Sequence, residues 1–193
     1  MEPTFSPKCL IFALAVLISM LCLSNAPSHA SSNNPFELYP NNIEFQIKRN
    51  GRDVGSHTVS FSKTDESIIR VNVEMNLKIR FLGIPFYSYR YNSEGHWRDN
   101  TLVRLEVEQE DDGVISRTNV LKQDEFLQIE GPAGMAKSPL NTFPTNHWHA
   151  GVLKASRIIN TLNGTISNVD IRNVADEIIR AEGKDITAKK YVY

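Results

Sequence analysis

The chain has 193 residues, of which 41% are hydrophobic and 22% charged, and its formal net charge at pH 7 is −1. The length fits one domain, and the composition is that of a folded globular chain rather than a disordered one. Because Lys and Arg are not in excess, no nucleic-acid partner is expected.

The first thirty residues have the layout of a secretory signal peptide. Cys9–Leu23 is an almost unbroken apolar run, and small residues follow at Ser28 and Ala30. A spanning helix needs about 20 apolar residues, and this run is shorter. We therefore expect residues 1–30 to be cleaved on export. The protein would then be periplasmic or secreted, with no transmembrane span after cleavage.

The expected mature chain contains no cysteine, because Cys9 and Cys22 both precede the cleavage point. It therefore needs no disulfide, and it has no thiolate for catalysis or metal binding. Residues 31–42 are rich in Asn, Ser and Pro and are interpreted as a linker. Residues 43–193 are interpreted as a single β-rich domain.

Alternation of apolar and polar residues predicts antiparallel strands along this domain. Ile43–Lys48 and His57–Phe61 alternate on either side of a predicted turn at Asn50–Asp53. The longest alternating run is Ile69–Phe81. Further strands are predicted at Phe86–Asn92, Leu102–Glu110, Val114–Leu121, Phe126–Glu130, Ile158–Ile159, Ile166–Ile171, Ile178–Ala181 and Ile186–Tyr193.

One segment departs from the alternating pattern. Gly131–Asn146 is rich in Pro and Gly, which excludes a helix or a central strand. A short helix is predicted near 146–156, with Asn146 as its N-cap. The connections are too short for parallel crossovers. The predicted fold is therefore all-β and mainly antiparallel, with the sheet curled into a barrel or half-barrel.

Several short segments, in this order, resemble an uncharacterised family of exported bacterial proteins that is classed as a domain of unknown function. The segments are Phe81–Tyr89, Glu94, Trp97, Leu102, Pro144–His149, Leu162–Gly164 and Gly183–Tyr191. The resemblance implies an all-β exported domain, with a pattern similar to the half-barrels of periplasmic lipoprotein carriers. Members of that family continue past the strand of Tyr191 with another hairpin. The resemblance therefore implies that this chain is C-terminally truncated, and it implies no activity.

Tyr87, Tyr89 and Tyr91 share one face of a predicted strand. Such a stripe is either part of the core or the wall of a ligand cavity. Together with Trp97 and Trp148, these residues are the candidate ligand-binding set.

His147 and His149 flank Trp148 and are weak candidates for metal ligands. On a strand both rings would share a face and could bind zinc with His57 or His96. On a helix they would point about 200° apart and could not. We favour the helix or loop interpretation, and we expect no metal or other cofactor.

The segment from Glu94 to Asp99 contains acid–base side chains but no nucleophile elbow accompanies it. Three functional hypotheses remain open. The first is a binding module for a lipid-like apolar or amphipathic ligand. The second is an envelope scaffold with a filled core and a protein partner. The third and least favoured is an enzyme that uses His57, His96, His147 and His149.

Overall fold

The computed structural model describes residues 34–39, 42–64, 67–145, 148–181 and 183–193, all within one compact unit, Asn33–Tyr193. The predicted signal peptide, residues 1–30, lies outside the described residues. In the part of the chain that is described, no helix is long and apolar enough to cross a membrane.

The main sheet contains eight strands that follow one another in chain order, each antiparallel to the next. They are β1 (Ile43–Arg49), β2 (Arg52–Lys63), β3 (Ile68–Phe81), β4 (Ile84–Arg98), β5 (Thr101–Asp111), β6 (Val114–Lys122), β7 (Phe126–Gly131) and β8 (Gly134–Pro139). The prediction of a mainly antiparallel all-β fold is confirmed. Within the described residues β1 and β8 are the two edges and do not pair with each other, so the sheet is open.

The turns of the sheet follow from residues that tolerate positive φ. Asn50 and Gly51 have φ of 51° and 76°, and Asp112 and Gly113 have φ of 47° and 89°. Positive φ at both central residues defines the type I′ turn, whose twist matches that of the flanking strands. Arg49 pairs directly with Arg52, so the first turn is shorter than the predicted Asn50–Asp53.

The proline-rich segment contributes an edge strand, β8, and part of a second sheet. That sheet has the order β11 (Ile166–Asn168), β10 (Arg157–Ile159) and β9 (Phe143–Pro144), with β9 parallel to β10. A 3₁₀ turn, Ala150–Lys154, stands where the short helix was predicted. Its N-cap is His149, whereas Asn146 lies outside the described residues.

The last two strands are β12 (Arg172–Ala181) and β13 (Lys184–Val192), and among the described strands they pair only with each other. The described side chains of β12 are all exposed. This β12–β13 hairpin is therefore a two-stranded ribbon, of the kind that has little stability on its own.

Part of the predicted linker is ordered against the domain. A four-residue helix, α1 (Pro35–Leu38), is capped by Asn34, whose Oδ1 accepts a hydrogen bond from the Phe36 amide. Tyr39 then stacks on Phe61 with ring centroids 5.5 Å apart.

The core lies between the inner face of the main sheet and the second sheet. From the main sheet it contains Val59, Val71, Val73, Tyr91, Trp97, Leu102, Leu105, Val107, Val120, Leu127 and Ile129. Trp148 and Ile159 enter it from the segment that follows β9. Their burial is the main favourable contribution to the free energy of folding.

Candidate ligand-binding groove

A groove with a volume of about 820 Å³ lies between the inner face of β1–β4 and the segment 145–162. Its lining residues are Tyr39, Ile43, Phe45, His57, Val59, Val73, Met75, Tyr89, Tyr91, Thr145, Trp148, Asn160, Thr161 and Leu162. Ligand sites in proteins typically have volumes of about 300–1,000 Å³ and mostly apolar walls. The groove has the size and the character of such a site.

Strand register brings the floor of the groove together. Phe45 pairs with His57, His57 with Met75, and Met75 with Tyr91, which forms one row across four strands. Residues directly opposite each other in a sheet share a face. Val59 and Val73 pair with each other two residues away along β2 and β3. Because side chains alternate along a strand, this pair faces the same side as His57 and Met75.

One end of the groove is closed by aromatic packing. The Tyr39 hydroxyl donates a hydrogen bond to the Trp148 carbonyl oxygen at 3.2 Å. The Trp148 ring packs edge-on against Phe61, with centroids 5.4 Å apart. These contacts fix the segment before β1 and the segment after β9 against each other.

The wall formed by segment 160–162 is tied to the sheet through Gln109. The Tyr89 hydroxyl donates to Gln109 Oε1 at 3.2 Å. Gln109 Nε2 donates to Ser116 Oγ at 2.7 Å and to the Leu162 carbonyl oxygen at 3.2 Å. One amide therefore connects a groove residue, a neighbouring strand and the covering segment.

None of the lining residues is charged at neutral pH. Burial lowers the pKa of His57 below its usual value, so this imidazole is neutral near pH 7. Its ring forms no hydrogen bond within the described part of the chain. The Thr145 and Thr161 hydroxyls, which also line the groove, already form a hydrogen bond to each other at 3.0 Å. The groove can therefore accept apolar groups and offer a neutral hydrogen bond at His57.

Comparison with known proteins gives one family match. A family profile described as Domain of unknown function (DUF6134) matches residues 45–193, which is most of the chain. The chain belongs to this family. No curated protein and no solved structure matches it. The DUF6134 region contains every groove-lining residue except Tyr39 and Ile43.

Within the DUF6134 domain, the three tyrosines of the predicted stripe have different surroundings. Tyr91 is only 6% exposed and belongs to both the core and the groove floor. Tyr89 lines the groove and is half-buried. Tyr87 lies outside the groove lining, where a hydrogen bond to Asp111 raises the pKa of its hydroxyl. The structure thus places two of the three at the groove.

The two tryptophans of the candidate set also differ in their position relative to the groove. Trp148 lines the groove, whereas Trp97 is buried behind it. Trp97 packs on Phe143 and His149, with ring centroids 5.9 and 5.2 Å away. Trp97 therefore supports the wall of the groove without lining it.

The ring nitrogens of His149 are both occupied. Nδ1 accepts a hydrogen bond from the Gly151 amide at 2.9 Å, so the proton lies on Nε2, which is 3.2 Å from Asn100 Oδ1. Burial lowers the pKa of His149. This histidine caps the 3₁₀ turn and fills the core, and neither nitrogen is available to a metal.

Of the other described histidines, His57 lines the groove, and neither it nor His96 forms a metal-binding group with His149. His96 lies on the outer face, where Nε2 is 2.7 Å from Glu94 Oε1, and this bond lowers the pKa of Glu94. His147 is outside the described residues. Among the residues that are described, no group of three or more His, Cys, Asp or Glu side chains could hold a metal ion.

The sequence did not indicate that Val59, Val73 and Met75 form the aliphatic floor of the groove, or that Phe45 lines it beside them. It offered His57 only as a metal ligand or a catalytic residue, and not as a groove residue. Alternation placed each of these residues on the apolar face of its strand. The missing information was which strand each one faces and which part of the sheet the later segment leaves uncovered.

Proposed function

We propose that this DUF6134 protein is an exported protein of the cell envelope whose domain binds an apolar or amphipathic small molecule in the groove. The observation that carries the proposal is an apolar groove of about 820 Å³ without a charged residue in its lining. A lining of this kind favours ligands whose buried part is uncharged, because burying an unpaired charge is strongly unfavourable.

The expected ligand has an apolar body and a neutral polar end. The apolar body would lie on Val59, Val73 and Met75, beside the Tyr91 ring. The polar end would bond to the His57 ring or to the Asn160 amide. Asn160 Oδ1 already accepts from the Leu162 amide at 2.9 Å, and its Nδ2 donates no hydrogen bond within the described part.

Export is proposed from the sequence of residues 1–30 and from the absence of cysteine after Cys22. The test is the intact mass of the protein recovered from a periplasmic fraction. An intact mass equal to that of a polypeptide that begins at Ser31 supports export with cleavage. A cytoplasmic protein that retains Met1 contradicts it.

Ligand binding is tested with delipidated protein and a fluorescent fatty-acid analogue. Met75→Trp places extra volume in the groove and should abolish the fluorescence increase on binding. Asn76→Trp adds the same side chain at the next position on the opposite, exposed face, and should bind like the wild type. Equal binding by both variants would place the analogue elsewhere. No binding by any form would contradict the proposed function.

A second candidate function, interaction with a protein partner, is favoured by the β12–β13 hairpin. It exposes Ile178 on one face and the paired Ile179 and Ile186 on the other. Sedimentation velocity can compare the wild type with Ile178→Lys. Association that this substitution removes would support an interface. A monomer at every concentration, with no co-purifying protein, would speak against it.

A further inference from the structure

The hairpin of β3 and β4 extends beyond the residues that pair it with its neighbouring strands, β2 and β5. The last pairs with the neighbouring strands are Gly55 with Leu77 and Tyr89 with Asp111. The Ser88 carbonyl oxygen accepts one further backbone hydrogen bond, from Asp112. In the described part of the chain, residues 78–87 therefore pair only within the hairpin of β3 and β4. This projecting part is called the β3–β4 tip below.

The tip exposes three large apolar side chains to water. Leu82 is 87% exposed, Ile84 69% and Phe86 71%. Single exposed apolar residues are normal on protein surfaces, but a cluster on a projecting element is typical of a contact site. Folding of the domain itself gains nothing from their exposure.

The turn of the tip also has an unfavourable residue. Leu82 and Gly83 form a two-residue turn with φ of 49° and 82°. The corresponding turns elsewhere in the sheet use Asn50-Gly51 and Asp112-Gly113, which suit this conformation. A leucine in the left-handed region costs about 1 kcal/mol. Local turn formation therefore does not explain Leu82, whereas a contact outside the domain does.

The charge around the tip is positive. Residues 75–93 contain Lys78, Arg80 and Arg90 but no acidic residue, although the whole chain has a net charge of −1. Arg90 pairs with Glu110 of β5. Within the described part, Lys78 and Arg80 form no ion pair.

The β1–β2 turn lies at the same end of the sheet, because alternate connections of an antiparallel meander share an end. It adds Arg49 and Arg52, and Lys48 there pairs with Asp53. Asp111 and Asp112 lie at the base of the tip, beside Tyr87 and Ser88. The end of the sheet that carries the exposed apolar residues therefore also carries Lys78, Arg80, Arg49 and Arg52, which form no ion pair within the described residues.

We propose that the β3–β4 tip docks on an anionic lipid bilayer. Leu82, Ile84 and Phe86 enter the headgroup region, and Lys78 and Arg80 bond to lipid phosphates. Apolar side chains ringed by basic ones are the pattern by which proteins bind bilayer surfaces. Each basic residue near an anionic surface contributes independently to the attraction.

This docking would also orient the groove. Met75 lines the groove, and Leu77 and Ile79 continue its face along β3 toward the tip. Tyr91, Tyr89 and Tyr87 follow the same line on β4. An apolar path thus leads from the groove to the proposed membrane contact. The docking proposal does not depend on whether the groove holds a ligand.

A fluorophore at the tip tests the proposal. The full chain carries Cys9→Ser and Cys22→Ser, and a nitrobenzoxadiazole group is attached through Ile84→Cys. A control protein carries it through Ile178→Cys, which is similarly exposed on the β12–β13 hairpin. The probes are vesicles of phosphatidylcholine and vesicles of equal parts phosphatidylcholine and phosphatidylglycerol. Any membrane binding by the first thirty residues is common to both proteins.

We expect a blue shift and an intensity gain at position 84 with the anionic vesicles only, and a reduced effect in high salt. Lys78→Gln with Arg80→Gln should weaken vesicle binding at the tip roughly 30-fold. Lys137→Gln with Lys184→Gln should leave it unchanged. Leu82→Asn suits the turn, so it should fold at least as well while it reduces the shift.

Three results would overturn the proposal. The first is an emission spectrum at position 84 that neither kind of vesicle changes, which would mean that the tip contacts a protein rather than a bilayer. The second is an equal shift at positions 84 and 178, which indicates nonspecific adsorption. The third is equal binding to neutral and anionic vesicles.

Discussion

Trp97 and Trp148 meet edge to face, with ring centroids 5.3 Å apart and ring planes at 88°. Trp97 lies on β4, and Trp148 lies in the segment that closes the groove. Aromatic pairs in this arrangement contribute beyond the area that they bury. The contact therefore connects the stability of the core directly to the shape of the groove.

Truncation of this pair should destabilise the domain. Trp148→Ala removes a side chain that is 7% exposed, and we expect a loss of about 3–5 kcal/mol in the free energy of unfolding. The measurement is urea denaturation followed by circular dichroism. Phe45→Ala is the control, because that groove residue is mostly exposed and should cost less than about 1 kcal/mol. Equal losses would contradict the assignment of Trp148 to the core.

His149 should make stability depend on pH. Burial lowers its folded pKa below the unfolded value of 6.5, so below that pH the unfolded state binds more protons than the folded state. The contribution of neutral His149 is complete above pH 6.5 and is lost as the pH falls toward the folded pKa. Urea midpoints measured from pH 8 down to about pH 5 should therefore decrease.

The matched control for this pH dependence is His149→Gln, which retains a hydrogen-bonding side chain but does not titrate. Its urea midpoints should change less over the same range. His57 also has a lowered pKa, but its ring is more exposed, so His57→Gln should flatten the profile less. A wild-type profile that rises as pH falls would contradict the buried neutral state.

Leu82→Asn should stabilise the isolated domain. Asparagine is favoured at the first central position of a type I′ turn, so the substitution relieves the strain at φ of 49°. We expect a gain of up to about 1 kcal/mol in thermal or urea unfolding. Asn50→Leu, which makes the opposite change in the neighbouring β1–β2 turn, should destabilise by a similar amount. A loss of stability in Leu82→Asn would mean that Leu82 packs within the domain.

Gly131→Ala should destabilise the contact between β7 and the turn that precedes β11. A Cβ atom at residue 131 would lie 2.7 Å from the Asn163 carbonyl oxygen and 2.9 Å from Thr118 Oγ1. Backbone must shift to accept it, and we expect a loss of about 1–3 kcal/mol in the free energy of unfolding. Glu130→Ala, one residue earlier and exposed, should change stability by less than about 0.5 kcal/mol.

The strands of the main sheet were predictable because half-buried strands impose a period of two on the sequence. Ile69–Phe81 shows this most clearly, and it corresponds to β3. The strand β8 was not predicted, because Gly134–Pro139 has few apolar residues and ends in proline. It forms as an edge strand, where only one side must be paired.

The groove was only partly predictable. Alternation placed Tyr87, Tyr89 and Tyr91 on one face, but burial depends on how far the covering segment extends along β4. That segment reaches Tyr91 and Tyr89 and leaves Tyr87 outside the groove. The row from Phe45 to Tyr91 could not be derived from alternation alone, because it depends on the pairing order of four strands.

The packing of Tyr39 was also missed. Residues 31–42 have a polar, proline-containing composition that is typical of a linker, and only two aromatic residues interrupt it. The contacts of Tyr39 are with Phe61 and Trp148, which are far away in the sequence. No local pattern records contacts between residues so widely separated.

The most direct test of ligand binding is native mass spectrometry of the protein purified from its producing cells without detergent. The groove predicts a discrete additional mass on the wild type and on Asn76→Trp that organic solvent releases, and its absence from Met75→Trp. A mass equal to that of the polypeptide in all three proteins would contradict ligand binding. An extra mass that Met75→Trp retains would contradict the groove as its site.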